Sequence, residues 1–192
     1  MFNKGERKKK GWVGNLIFIL ILFVLLFTPL GTTFKVWMNQ LLAMSPSLEK
    51  QEDFEQVSLD GWTLLDEEGR VFDMTQVKGK VVVLNFWATW CPPCIAEKPS
   101  FQALYDDYKN NVVFLFVTTD EADKVKAFKE KHGYTLPSYF QQDAPPAALY
   151  STSLPASYVI DKKGNIVVRK NRAADWNSSK FRVILDELIQ AK

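Results

Sequence analysis

Val81 to Cys94 reads VVVLNFWATWCPPC, and this stretch decides the fold. Its first half, up to Trp87, is a β-branched and apolar run, which is typical of a strand buried on both faces of a sheet. Its second half ends in two prolines between Cys91 and Cys94, and Pro92 suits the first helical position because its missing N–H has no helical partner there. The stretch predicts a central strand, a turn and a helix that opens at the cysteines.

The segments on either side continue this alternation of strands and helices. Helices are predicted over 95–108, 121–132 and 181–189, a strand over 112–117, and hairpins over 64–72 and 156–169. Parallel strands joined by helices, followed by a hairpin and a last helix, indicate an α/β domain. We expect a mixed sheet with helices on both faces.

The chain has only two cysteines, three positions apart. A bridge that closes so small a ring constrains little in the unfolded chain, and a domain of this size needs no staple. A tetrahedral zinc site needs four ligands, whereas the chain offers these two thiols and one histidine. The pair therefore indicates redox chemistry, and we expect no metal.

The position of the two thiols at a helix start assigns their roles. Cys91 faces the unpaired N–H groups and the positive end of the helix dipole, which favour the thiolate. In C-x-x-C settings this lowers a thiol pKa from about 8.5 into the range of about 3.5–7.5. Cys91 is the expected nucleophile, and Cys94, one turn along, is placed to resolve a mixed disulfide.

The charge of +2 is distributed unevenly. The first ten residues carry five basic side chains and one acidic side chain. Taken from the totals of 24 and 22, this leaves 19 basic and 21 acidic side chains in the rest of the chain. We expect no nucleic-acid partner, since such binding requires a basic excess on the domain itself.

An apolar stretch follows the basic cluster. No side chain from 11 to 34 is charged, and Trp12 to Leu30 has a length near the ~20 residues that cross a bilayer core. The positive-inside rule then predicts a cytoplasmic basic segment 1–11 and a transmembrane anchor 12–30. A cleaved signal peptide is the alternative, although small-residue cleavage sites after the run are poor. Either way the domain would lie in the periplasm or an equivalent extracytoplasmic space.

Residues 31–56 are interpreted as an interfacial segment and tether between this anchor and a domain at 57–192. Apolar residues at helical spacing over 32–44 indicate an amphipathic helix lying on the bilayer or an extension of the anchor helix. The polar and charged residues from 45 to 55 are typical of a linker.

The motif WCPPC at 90–94 resembles the active site of thioredoxin-like proteins, and the stretch 85–99 is similar to the membrane-anchored TlpA/ResA branch. The resemblance covers residues 57–191, and its most specific elements are C-x-x-C-x-x-E-x-P over 91–99 and LPASYVID over 154–161. It implies a thioredoxin-like fold and an extracytoplasmic thiol–disulfide oxidoreductase whose only redox group is the cysteine pair.

The resemblance also assigns a substrate site. Pro155 matches the family's cis-proline, whose loop faces the cysteines and pairs with the substrate backbone. Leu154 precedes it, and Trp90 and Pro92 flank Cys91, so these four residues are the expected substrate-binding set.

Glu97 matches the acidic residue near the active site of the TlpA/ResA branch, and we expect it to be catalytic. A carboxyl one turn beyond Cys94 can exchange protons with that thiol if burial raises its pKa; a solvated glutamate is the alternative. Thioredoxin has an aspartate on the central strand where this chain has Asn85, which moves the proton role to Glu97 or water.

The expected function is reduction of disulfides in exported proteins, either apocytochrome c before haem attachment or wrongly paired disulfides in general. The resemblance implies a membrane electron donor of the DsbD/CcdA type. Two alternatives are a thiol peroxidase, although Thr89 is not spaced as such enzymes require, and a copper-handling module in which the two sulfurs bind metal.

Overall fold

The computed structural model describes residues 12, 14–21, 23, 29–49 and 54–191. Residues 14–21 are helical, and a helix α1 runs over Pro29–Leu42. Within these described ranges no helix combines the length and the apolar character needed to span a bilayer. The predicted anchor 12–30 includes positions outside the described residues, and it stays a prediction.

The domain is built on one mixed sheet of seven described strands. They are β1 Glu55–Gln56, β2 Leu64–Leu65, β3 Val81–Phe86, β4 Val112–Thr118, β5 Ser138–Gln141, β6 Ala156–Ile160 and β7 Asn165–Lys170. Their order in the sheet is β1-β7-β6-β3-β4-β5-β2. β3 is parallel to β4 and β4 to β5, and the other pairs are antiparallel. The helices of the domain are α2 Pro92–Tyr108, α3 Ala122–His132 and α4 Ser179–Gln190, with 3-10 turns at Met74–Val77 and Ala147–Leu149.

The sheet has a different core on each face. Val81 and Val83 of β3 pack in one core with buried residues of α2, α3 and α4, such as Phe101. Val82 and Leu84 pack in the other core with the segment 57–77. The mixed sheet is as predicted, but the placement of α-helices on both faces is wrong. The chain steps from β3 to β4 to β5 in one direction, and right-handed crossovers then put α2 and α3 on the same face.

The segment assigned to a tether makes contacts with the domain. The backbone N–H of Glu49 donates to the carbonyl of Val167 at 2.8 Å, and Met44 forms a parallel bridge with Ala174. β1, which lies inside the predicted tether, adds an edge strand to β7. Helix α1 also contacts α2.

Helix α2 begins at Pro92, where the prolines predict a helix start, and not at residue 95; Cys91 acts as its N-cap. The predicted hairpin 64–72 is present in a short form. Leu65 forms an antiparallel bridge with Val71, and the N–H of Phe72 donates to the carbonyl of Leu64 at 2.8 Å, while β2 also pairs with β5. The second hairpin, β6–β7, is as predicted, and Ser178 is the N-cap of α4.

Candidate active site

The two cysteines form a disulfide at the N-terminus of α2. Cys91 has extended backbone angles, and its Sγ accepts a hydrogen bond from the N–H of Cys94 at 3.3 Å. This is the interaction with a free helical N–H that stabilises a thiolate once the disulfide is reduced. Cys94 is completely buried, whereas Cys91 is 4% exposed and is the cysteine that lines the neighbouring cleft.

A cleft of about 440 Å³ opens beside Cys91. Trp90 and Pro92 form one wall, and the segment from Ser151 to Leu154 forms the other. Trp90 is 71% exposed, so most of its ring surface is accessible to another molecule. The Leu154–Pro155 peptide is cis, and Pro155 itself is buried behind Leu154 at the start of β6. The structure thus brings three of the four predicted substrate-binding residues to one cleft with the nucleophile.

The loop that leads into the cysteines is held by Asp120. Its Oδ2 accepts hydrogen bonds from the backbone N–H and the hydroxyl of Thr89 at 2.7 and 2.8 Å, and its Oδ1 accepts from the indole N–H of Trp90 at 3.1 Å. Asp120 lies just beyond β4, and Thr89 just beyond the parallel strand β3, so the sheet places them at the same edge. The Thr89 hydroxyl is therefore directed to Asp120.

Glu97 is buried on the core face of α2, one turn after Cys94, and is 1% exposed. Its Oε1 accepts from the Asn85 side chain at 2.8 Å, and its Oε2 accepts from the Trp176 indole at 2.9 Å. Burial raises the pKa of Glu97 from 4.5 to about 7, although both hydrogen bonds and the charge of Lys98 oppose this. Glu97 is therefore not the solvated glutamate of the alternative, and it meets the condition of burial on which the proton exchange depends. Its catalytic role stays a prediction.

Sequence reasoning missed three further polar residues of this cluster. Lys98 is 1% exposed, and burial lowers its pKa to about 7. Ser157 on β6 accepts a hydrogen bond from Asn85 at 2.9 Å, and Trp176 binds Glu97 from the segment before α4. Only Lys98 had a sequence signal, because it lies four residues after buried Cys94 and three before buried Phe101, on one helix face.

Chemically, the site combines a cysteine pair at a helix N-terminus, an open cleft and a buried carboxyl whose pKa is raised by burial. Once reduced, the cysteine pair supplies a nucleophile and a resolving thiol. The carboxyl can accept and return a proton.

Comparison with known proteins agrees with this arrangement. A family model described as the AhpC/TSA family matches residues 50–169. The thiol-disulfide oxidoreductase ResA of Bacillus anthracis is 37% identical over 109 residues, which are 55% of this chain and 63% of that protein. The thioredoxin-like protein YneN of Bacillus subtilis is 34% identical over 102 residues, 51% of this chain and 60% of that protein.

A solved structure from Bacteroides vulgatus, of a protein assigned as a thiol-disulfide oxidoreductase, is also similar. It is 33% identical, and the match covers 66% of this chain and 91% of that chain with a TM-score of 0.53. The match to this solved structure and the family model together show that the fold is thioredoxin-like. The similarity to ResA and YneN spans less than two thirds of those curated relatives.

Proposed function

The chain belongs to the AhpC/TSA family, and on that premise we propose that it is a membrane-tethered thiol–disulfide oxidoreductase that reduces disulfides in exported proteins. The observation that carries the proposal is the Cys91–Cys94 disulfide at the start of α2, beside an open cleft and one turn from buried Glu97. The name of the relative ResA, a thiol-disulfide oxidoreductase, supports the same chemistry.

The reaction begins with the reduced dithiol. The Cys91 thiolate attacks a substrate disulfide, a Cys91–substrate disulfide forms, and the first substrate thiolate leaves. Cys94 then passes its proton to the Glu97 carboxylate and attacks the Sγ of Cys91. The Cys91–Cys94 disulfide forms and the second substrate thiolate leaves. The substrate gains two electrons and the dithiol loses two.

Turnover then needs two electrons and two protons from a donor. We propose a membrane donor of the DsbD/CcdA type, as the TlpA/ResA resemblance implies. The substrate and the electron donor would bind one after the other in the cleft between Trp90 and Leu154, and each would exchange its disulfide or thiols with the cysteine pair there. Apocytochrome c is the first substrate to test, and wrongly paired disulfides of other exported proteins the second.

Tethering is supported by the described part of the N-terminal segment. The side chains of Leu16, Ile17, Phe18, Ile19 and Leu20 are 47–66% exposed, so they do not pack into the domain. Such a row is favourable in lipid and costly in water. The proposal predicts that the protein stays in the membrane fraction at alkaline pH, and that an impermeant thiol reagent labels the reduced cysteines from outside.

The function is tested with the full chain in detergent. The wild type should reduce insulin with dithiothreitol as donor, Cys91→Ser should be inactive, and Cys94→Ser should accumulate the mixed disulfide. A reduction potential near about −270 mV supports a reductant, whereas one near about −120 mV would make the protein an oxidant. Peroxide consumption or stoichiometric Cu(I) binding, without insulin reduction, would favour the peroxidase or the copper module.

A further inference from the structure

Lys98 is a charged side chain in a fully enclosed position on α2. Its ammonium lies 3.9 Å from the centre of the Trp87 ring and 4.5 Å from that of Phe116. It donates one hydrogen bond, to Oδ1 of Asn85 at 3.1 Å. An isolated ammonium pays a desolvation cost of several kcal/mol in such a place, and aromatic faces and a carbonyl oxygen are groups that favour its charged form.

Asn85 connects this ammonium to Glu97. The amide oxygen of Asn85 accepts from Lys98, and its amide nitrogen donates to Oε1 of Glu97 at 2.8 Å. The amide dipole therefore has its negative end on the cation and its positive end on the carboxylate. Both contacts are strongest when Lys98 and Glu97 are charged together, because an amine would weaken the first contact and a carboxylic acid the second.

We propose that Lys98 is a positioning residue that acts through Asn85 as the buried counter-charge of Glu97, and so keeps this carboxyl able to take the proton that Cys94 releases. The role in turnover rests on the proposed function. The electrostatic pairing of the two side chains does not.

The charges around the pair agree with this assignment. Burial raises the pKa of Glu97, and the charge of Lys98 lowers it. Burial lowers the pKa of Lys98, the charge of Glu97 raises it, and Lys129 on α3 lowers it further. Lys129 is itself paired with Glu67, which leaves Glu97 as the carboxylate that can compensate Lys98. When Glu97 takes a proton, Lys98 becomes an uncompensated buried cation, so the two titrations are coupled.

The test is the titration of the Glu97 carboxyl in the oxidised full chain, followed by NMR of ¹³C-labelled glutamate and assigned by the resonance that Glu97→Gln removes. Lys98→Met keeps the length and the apolar stem, and Lys98→Gln keeps a donor for Asn85 without the charge. Both should raise the midpoint of the Glu97 titration by at least about one pH unit, which is a tenfold fall in the ratio of carboxylate to carboxylic acid at a given pH. The exposed control Lys126→Met should leave the midpoint of the Glu97 titration unchanged.

An unchanged midpoint in Lys98→Gln overturns the proposal, whatever the protein does to disulfides. If Lys98→Met does not fold, Lys98→Gln alone decides the question. If the midpoint moves but the wild type does not reduce insulin, the pairing stands and the proposed function fails.

A kinetic measurement tests the consequence for turnover. The rate at which Cys94 releases the Cys91 mixed disulfide should fall about fivefold in Lys98→Gln at pH 7, with the pH profile displaced to higher pH. Because Lys98 acts through Glu97, the double variant with Glu97→Gln should be no slower than Glu97→Gln alone. A double variant slower by the product of the two single effects would contradict the assignment.

Discussion

Glu97→Gln should flatten the pH dependence of stability in the oxidised protein, where the cysteines do not titrate. Between pH 4.5 and about 7 the unfolded chain has lost the Glu97 proton while the folded protein retains it, because burial raises its pKa. The unfolded state then binds fewer protons, so the free energy of unfolding falls as pH rises through this window. The stabilisation is complete below pH 4.5 and is lost above about 7.

The size of this effect follows from the two pKa values. One pKa unit is equivalent to about 1.36 kcal/mol. The interval from 4.5 to about 7 therefore corresponds to about 3 kcal/mol, a large part of the ~5–15 kcal/mol that stabilises a typical domain. The contribution of Lys98 to the pH dependence of stability has the opposite sign. Because burial lowers the pKa of Lys98, the free energy of unfolding rises between pH values of about 7 and 10.5. A stability minimum near neutral pH results.

The assay is guanidinium unfolding of the oxidised full chain, followed by tryptophan fluorescence at constant ionic strength from pH 4.5 to 7. Glu97→Gln leaves one acceptor oxygen for the two donors Asn85 and Trp176, which costs about 1–3 kcal/mol at every pH, so the slope is the quantity to compare. The exposed control Glu130→Gln should retain the wild-type slope. A slope in Glu97→Gln equal to that of the wild type would refute the reasoning.

Two other substitutions test the packing of the site and of the sheet edge. Trp176→Phe removes the indole N–H that Glu97 accepts at 2.9 Å, so it should lower stability by about 2–3 kcal/mol and raise the Glu97 pKa; an unchanged carboxyl titration would contradict this. Gly164 has φ +85°, and a Cβ there would lie 3.1 Å from the carbonyl oxygen of Val57, whereas Gly69 has φ +77° and open space. Gly164→Ala should therefore lower the free energy of unfolding, measured by denaturant titration, by about 1–2 kcal/mol more than Gly69→Ala does. Equal losses of stability in the two variants would argue against the clash.

The central layer of the fold could be predicted because its signals are local. The β-branched run at 81–87 became β3, and Gly133 ends α3 with a positive φ of 70°, as a residue beyond a helix C-terminus often does. β5 was missed, since the four residues SYFQ after Pro137 have neither length nor alternation. Its strand conformation comes from its parallel pairing with β4 and its antiparallel pairing with β2, and neither partner is near in sequence.

The sulfur chemistry of the site was predictable, whereas its polar support was only partly so. The N-cap role of Cys91 and the reach of Cys94 follow from the spacing of the motif in front of a helix. Asp120 and Trp176 join the site through tertiary contacts from distant segments, and no pattern near the cysteines indicates them. Asn85 was recognised as unable to relay a proton, but its bridge between Glu97 and Lys98 depends on geometry.

The spacing of the apolar residues in α2 places two charged residues on the buried face of the helix. Buried Cys94, Phe101 and Leu104 define the core face, and residues three and four after Cys94 lie on that same face. Those two residues are Glu97 and Lys98, of opposite charge. Placing charge on a buried face destabilises the fold unless the charges compensate each other. A core helix that has two such charges directly after a C-x-x-C motif therefore indicates a proton-handling pair. The same is expected of any helix in which one acid and one base occupy apolar positions beside a reactive thiol.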